Sequence, residues 1–366
     1  MSLRADVLVV GAGIAGSSVA YELATRRDVI LLEREARPGY HSTGRSAAML
    51  SETYGAPVVR ALAQASRSFL ADPPAGFTGT PLLSPRGMLH IAGHHQLAAL
   101  DAAGPTPPSV QRLDPAAVCG LVPILAPGYV GGGLFEPDAM AIDVDALHQG
   151  YLRGLRRRGR LITEAEVTAV ARTGDGWKVE TSAGVITAGI LVDAAGAWAD
   201  QLATMAGVRP IGLVAKRRTA ILIEPPRGLD PAAWPMVIDI DERFYFKPEA
   251  GTLLVSPADE TPVAPCDVQP EEIDVALAAA RFEEVTGHAV RRITHRWAGL
   301  RSFVADHAPV VGPDPEVPAF VWLAGQGGFG IMTAPAMARI AAAQITGEPG
   351  GLDPDPRPLG AARLRS

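Results

Sequence analysis

The first 35 residues constrain the fold more than any other stretch. Asp6-Val7-Leu8-Val9-Val10 is a short, β-rich apolar run. Gly11-Ala12-Gly13-Ile14-Ala15-Gly16 follows at once, then a helical pattern over 17–25 and a second apolar run, Val29-Ile30-Leu31-Leu32, which stops at Glu33. Strand, G-x-G-x-x-G, helix, strand and terminal acid together make the dinucleotide-binding βαβ fingerprint, of which the glycines alone are a weak part. Gly11 permits the tight turn, Gly13 lets a pyrophosphate approach the backbone, and Gly16 lets helix and strand pack closely. The helix start offers free N–H groups and its positive dipole end to the phosphates. Glu33 is positioned to accept from ribose hydroxyls.

A signal peptide or membrane helix is the competing reading, because residues 7–20 are uncharged and Arg4 precedes them. Three glycines in six residues, Glu22 and the β-run that follows immediately all argue against it. A spanning helix needs about 20 apolar residues, and no other stretch offers them. A cytoplasmic protein without a transmembrane segment is expected.

At 366 residues the chain is long for one domain, and two are expected. A net charge of −6 gives no reason to expect nucleic acid or an anionic membrane as partner. Cys119 and Cys266 lie far apart and in no C-x-x-C, so neither a disulfide framework nor a thiolate metal site is expected. Of 33 Lys and Arg residues only Lys178, Lys216 and Lys247 are lysine, which leaves few places for Schiff-base chemistry. Of the eight histidines one pair, His90 and His94, has H-x-x-x-H spacing, but it spans the end of a run read as a strand rather than one helix face; no H-x-H occurs, and the adjacent His94 and His95 cannot share a face. No metal site is read.

After Glu33, residues 34–49 are polar, broken by glycine and then rich in small residues, which suits a loop wrapping a cofactor. Residues 57–70 read as a helix with Val58, Leu62, Ala65 and Phe69 on one face. Proline-rich stretches at 73–85 and 104–108 break the chain, and 87–92 and 128–135 read as strands of a β-rich insertion. A helix over 143–158 is capped by Asp143, and strands follow at 161–170, 176–181 and 184–192. Small residues then end the last strand, Asp193-Ala194-Ala195-Gly196-Ala197-Trp198, where a flat ring can lie against backbone. Closely spaced strands over 213–255 predict a mostly antiparallel sheet, covered by a helix over 270–286. A strand at 320–324, a glycine-rich turn at 325–330 and a helix to 345 close the pattern, and the proline-rich tail after 347 is expected to fray.

The fold class is therefore α/β with two domains. Strands of the nucleotide core lie at the start, middle and end of the chain, with no internal repeat. Residues 1–72, 143–212 and 299–366 are expected to form the discontinuous cofactor domain, and 73–142 and 213–298 the antiparallel substrate domain.

The series G-A-G-I-A-G, L-E-R-E and G-Y-H-S-T-G-R-S-A-A, followed by Ser51-Glu52-Thr53-Tyr54-Gly55, resembles the FAD-dependent D-amino acid oxidase/dehydrogenase (DAO) family. Within it, the D-arginine dehydrogenases are the most similar. The likeness spans nearly the whole chain and is loosest over 93–130 and after 347. It implies a Rossmann-like, glutathione reductase-like FAD domain. It also implies oxidation of a D-amino acid by hydride transfer from Cα to flavin N5. Water would hydrolyse the resulting imino acid to the 2-oxo acid and ammonia, and oxygen or a quinone-like acceptor would take the electrons. Relatives with covalent flavin use a cysteine near the position of Gly299, so non-covalent FAD is implied.

By the same resemblance FAD adjoins Gly11, Gly13, Ile14, Ala15, Gly16, Glu33 and Arg34. It also adjoins Ser42, Thr43, Gly44, Arg45, Ser46, Ala47, Ala48 and Met49. Further contacts are implied at Val167, Ala195, Gly196, Trp198, Gly299, Gly327, Gly328, Gly330 and Ile331. The turn at 325–330 would offer N–H groups to the flavin's pyrimidine end, where negative charge gathers on reduction.

Arg301 and Arg218 match the positions that hold a substrate carboxylate, a task suited to a planar guanidinium that keeps its charge. Strand alternation lets only one of Arg217 and Arg218 face that site. Tyr54 and Tyr245 match active-site tyrosines. The chain departs from the D-arginine dehydrogenases at three pocket positions. Met49 replaces a histidine, Met88 stands where a glutamate follows Ser-Pro-Arg, and Met332 replaces a glutamine. With Gly328 these make an apolar pocket. D-Leu, D-Met or D-Phe are therefore expected to exceed D-Arg and D-Lys by at least about a hundredfold in kcat/KM. Glu52 is the only nearby acid seen, and the resemblance does not turn it inward. Two alternatives stay open: the same fold acting on a secondary amine, glycine or a 2-hydroxy acid, and a dinucleotide-binding protein without turnover.

Overall fold

The structure is a computed structural model that describes residues 3–103, 108–174, 176–226, 228–348 and 354–365. The expected break at 104–108 and part of the expected tail, 349–353, lie largely outside the described residues.

The apolar run at the N-terminus forms the strand Leu3–Val10, flanked on both sides by parallel strands, Val29–Leu32 and Gly184–Asp193. A strand buried on both faces has no use for alternation, which is why these runs are continuously apolar. Val7 and Val9 pack with Val19 and Leu23 of helix Ile14–Leu23, Leu152 and Leu155 of Val144–Arg156, and Met337 and Ile340 of Gly330–Thr346. Leu8, on the opposite face, packs with Trp177, Phe320, Trp322 and helix Ala199–Met205. Val10 is in register with both Leu32 and Asp193. The carboxyl ends of three strands therefore open at one line, where doubly wound sheets bind ligands.

This first sheet has eight strands. Gly184–Asp193 pairs antiparallel with Gly176–Thr181 along its first half and parallel with Phe320–Ala324 at its end. The single strand expected over 161–170 is two, Arg160–Ile162 and Val167–Thr173. The first belongs to the parallel core beside Val29–Leu32, and the second opens an antiparallel meander. Glu164, at φ 54°, marks the bend between them.

The second sheet also has eight strands, running Ile293–Phe303, Val214–Ile223, Thr252–Ser256, Tyr245–Glu249, Met236–Asp239, Met88–Gly93, Val130–Glu136 and Gln111–Leu113. Its pairings are antiparallel except Met236–Asp239 against Met88–Gly93, which is parallel. Alternation sends Leu89 and Ile91 to one face, where helices Pro115–Leu121 and Glu272–Thr286 cover them. Met88, Met236, Ile238 and Tyr245 point to the other face, with Met49 against them.

The tail over 354–365 is docked, contrary to the expected fraying. Leu359 and Ala361 are buried in the first sheet's two cores. Arg363 pairs with Asp306 at 2.7 Å, and Arg365 reaches the buried Asp314. Two apolar anchors and two charge pairs outweigh the proline content. Among the described residues no helix is long and apolar enough to cross a membrane.

Candidate active site

A cavity of about 430 Å³ runs from the carboxyl edge of the first sheet to the face of the second. That is within the ordinary range for small-molecule sites. Its nucleotide end admits nothing larger than glycine at two positions. A Cβ on Gly11, already at φ 99°, would lie 2.4 Å from the Ala194 carbonyl oxygen, and one on Gly16 would lie 1.8 Å from that of Gly11. Helix Ile14–Leu23 starts without a side-chain cap on its own Gly13, and Thr43 reaches across to accept from Ile14 N–H at 3.0 Å. Glu33 is fixed by two backbone donors, Ala12 N–H and Glu35 N–H, each at 3.0 Å. Arg34 stacks over Trp198, 3.9 Å from its ring centre, and both line the cavity.

His148 supports this turn from behind. Its Nε2 donates to the Ala12 carbonyl at 2.8 Å, and burial lowers its pKa, keeping the imidazole neutral. A Cβ on Gly39 would lie 2.9 Å from the same ring. The sequence reading did not single out His148, because a histidine inside a helix carries no signal of its own.

Most of the sequence-derived cofactor residues line this cavity: Gly11, Gly13, Ile14, Ala15, Glu33, Arg34, Ser42, Thr43, Arg45, Ser46, Ala47, Val167, Ala195, Gly196, Trp198, Gly299, Gly327, Gly328, Gly330 and Ile331. Four do not. Gly16 packs on Gly11, Gly44 donates to the Gly39 carbonyl at 2.8 Å, and Ala48 and Met49 line an adjoining pocket. A steep turn, a backbone contact and a neighbouring wall explain the exclusions.

The adjoining pocket has methionine walls, Met49, Met88, Met236 and Met332, with Ile238 beside them. Arg218, Tyr245, Arg301 and Gly328 line both cavities, so they stand at the junction. Arg218 and Arg301 come from paired strands, with Arg218 opposite Gly299. Arg218 donates to the Asp259 carbonyl and to Glu260, both at 2.8 Å. A Cβ on Gly328 would lie 2.7 Å from an Arg301 nitrogen, so only glycine leaves that guanidinium its place. Arg217 points to the other face and is buried against Asp274 and Glu271.

Burial and the neighbouring Arg301 both lower the pKa of Arg218. Burial pushes the Tyr245 phenol up, but Arg301 and Arg218 outweigh it and the net shift is downward. Two adjacent cations that lower the pKa of a neighbouring phenol make this junction a positive region suited to an anionic group. Tyr54 sits on the opposite wall, its ring 5.6 Å from Phe329 and 5.9 Å from His90. Burial and then the charge of nearby Glu242 raise its pKa. Burial lowers His90 to about 4, so it too is neutral.

Glu52 turns away from the pocket to pair with Arg67. The pocket acid is instead Glu242, which the sequence reading missed. The Asp241-Glu242-Arg243 turn before Tyr245 shows three charges in the sequence but not which of them faces the pocket.

A parallel nucleotide sheet, a glycine turn that tolerates no side chain and a paired-arginine pocket beside it define an FAD-dependent oxidoreductase. The sequence profile of the FAD dependent oxidoreductase (DAO) family matches residues 6–344, and the chain belongs to that family. Glycine oxidase of Bacillus licheniformis is 26% identical over 95% of this chain and 95% of its own length. Mitochondrial dimethylglycine dehydrogenase of Rattus norvegicus is 25% identical over 90% of this chain, which spans 42% of that relative. Among solved structures, glycine oxidase from Geobacillus kaustophilus superposes with a TM-score of 0.86 at 22% identity, covering 99% of each chain, and shares the fold. None of these relatives is a D-arginine dehydrogenase.

Proposed function

We propose that this protein oxidises a D-amino acid with an apolar side chain to its imino acid, which water converts to the 2-oxo acid. The observation that carries this reading is the convergence of Arg218, Arg301 and Tyr245 where the cofactor cavity meets the methionine pocket. When bound, FAD supplies the hydride acceptor, and the protein supplies orientation and electrostatics. The two guanidiniums take the α-carboxylate and fix the amino acid by one end. Tyr245 donates to the same carboxylate, while the Tyr54 ring covers the substrate from the opposite wall. The side chain lies along Met49, Met88, Met236 and Met332, where each buried CH₂ contributes about 0.8 kcal/mol. D stereochemistry draws on the resemblance of the motif series.

The names of the relatives favour a second reading, in which the substrate is glycine or a secondary amine such as sarcosine. Either would leave the methionine walls without a partner. Anaerobic mixing of the yellow protein with D-Leu, D-Met, D-Phe, L-Leu, glycine, sarcosine and D-lactate separates the readings. Fast bleaching by the D-amino acids is expected. Bleaching by glycine or sarcosine alone supports the second reading, and no bleaching by any of them means that the protein binds the cofactor without turning over this class.

A further inference from the structure

Glu242 sits in the turn between strands Met236–Asp239 and Tyr245–Glu249, with a φ of 56°. That left-handed conformation is uncommon for glutamate and persists where surrounding structure over-determines it. The determinant here is Asp239, a wholly buried carboxylate. It accepts N–H bonds from Asp241 at 3.1 Å and Arg243 at 3.3 Å, and the side-chain amide of Gln96 at 3.1 Å. Its own carbonyl accepts Glu242 N–H at 2.8 Å. The next cation along, Arg243, is turned to Glu284 at 3.3 Å. A rigid turn thus presents the Glu242 carboxylate to the rim of the methionine pocket.

Arg218 and Arg301 line both cavities, whereas Glu242 lines only the pocket. The pocket is therefore positive where it meets the cofactor cavity, and Glu242, the only acid among its described lining residues, lies outside that junction. We propose that Glu242 sets the sign of charge tolerated at the far end of a substrate and excludes amino acids whose side chain carries an anion. The inference rests on the amino acid reading above. An amino acid anchored through its α-carboxylate on the arginines directs its side-chain tip past the methionines toward Glu242. A second carboxylate there meets a fixed like charge and apolar walls that cannot solvate it. Glu242 is more than a third exposed, so solvent and salt weaken the repulsion without abolishing it.

D-Gln and D-Glu match in size and differ in charge, so the ratio of their kcat/KM values isolates this effect. Glu242→Gln should lower the D-Gln to D-Glu ratio at least about fivefold, the size of an interaction between partly solvated charges. Glu242→Asp should retain most of the wild-type ratio. Raising ionic strength should shrink the ratio in wild type and leave it flat in Glu242→Gln, a response that a purely structural role would not produce. FAD content and bleaching by D-Leu are read in the same preparations. If D-Leu bleaches the flavin and the ratio is the same in wild type and Glu242→Gln, the charge filter is wrong and the amino acid reading stands. If D-Leu does not bleach wild type, both fall.

Discussion

Arg301 shares the junction of the two cavities with another arginine, Arg218, and with Tyr245, whose pKa the pair lowers. A substrate carboxylate placed there would meet both guanidiniums. Arg301→Lys retains the charge but loses the bidentate fork, so transition-state binding should weaken by roughly 1.5–3 kcal/mol. That is a factor of ten or more in kcat/KM, with FAD content intact. Steady-state kinetics alongside the flavin absorbance ratio checks it, and wild-type kinetics would mean that Arg218 alone holds the carboxylate. Strand alternation let only one of Arg217 and Arg218 face the site and the resemblance pointed to Arg218; the two side chains do lie on opposite faces. The methionines were readable through the resemblance. Glu242 was not, since a carboxylate in a turn faces a pocket only through its φ and through a hairpin whose register must be known first. It also removes a premise: the hundredfold handicap expected for D-Arg and D-Lys assumed a pocket without an acid.

At the scale of elements, the pieces marked by a motif, a cap or a glycine-rich start were the readable ones: the βαβ unit, the capped helix Val144–Arg156 and the final helix. The helix Pro115–Leu121 and the short strands Met49–Leu50, Leu83–Pro85 and Met140–Ile142 were not, because pieces this small owe their form to their partners. One such partnership controls the Tyr54 loop. Glu136, buried at the end of its strand, accepts from Ser51 Oγ at 2.6 Å, Thr53 Oγ1 at 2.5 Å and Glu52 N–H at 3.2 Å. Ser51 Oγ in turn accepts Tyr54 N–H at 3.1 Å. Glu136→Ala would leave three buried or half-buried donors without an acceptor, which costs about 1–3 kcal/mol and loosens the loop. The hypothesis is that Glu136 acts on catalysis through Tyr54. A double-mutant cycle should then show Glu136→Ala and Tyr54→Phe losing less kcat/KM together than the sum of their separate losses in free energy. Strict additivity would show that the carboxylate stabilises the loop without orienting the tyrosine.

For the molecule as a whole, the question is what keeps the flavin in place. The cavity lies between two eight-stranded sheets and draws its walls from Val10 near one end of the chain to Ile331 near the other. A cysteine tether needs its thiol on those walls. Cys119 packs with the core on the far face of the second sheet, and Cys266 is exposed; neither lines the cavity. At Gly299, where the covalent relatives implied by the motif resemblance carry cysteine, the position a Cβ would take is 3.4 Å from the Arg45 side chain and offers no reactive atom. With no cysteine on those walls, retention is expected to rest on backbone donors, on Glu33 and on buried area, all of which disappear when the chain unfolds. Acid precipitation should therefore give a colourless pellet and a yellow supernatant. Because the ligand binds only the folded state, free FAD at a hundred times its Kd should add about 2.7 kcal/mol to stability, and Tm should climb as FAD is added to stripped protein. A yellow pellet, or a Tm indifferent to FAD, would overturn the non-covalent assignment and direct the search to a tether elsewhere on the cavity wall.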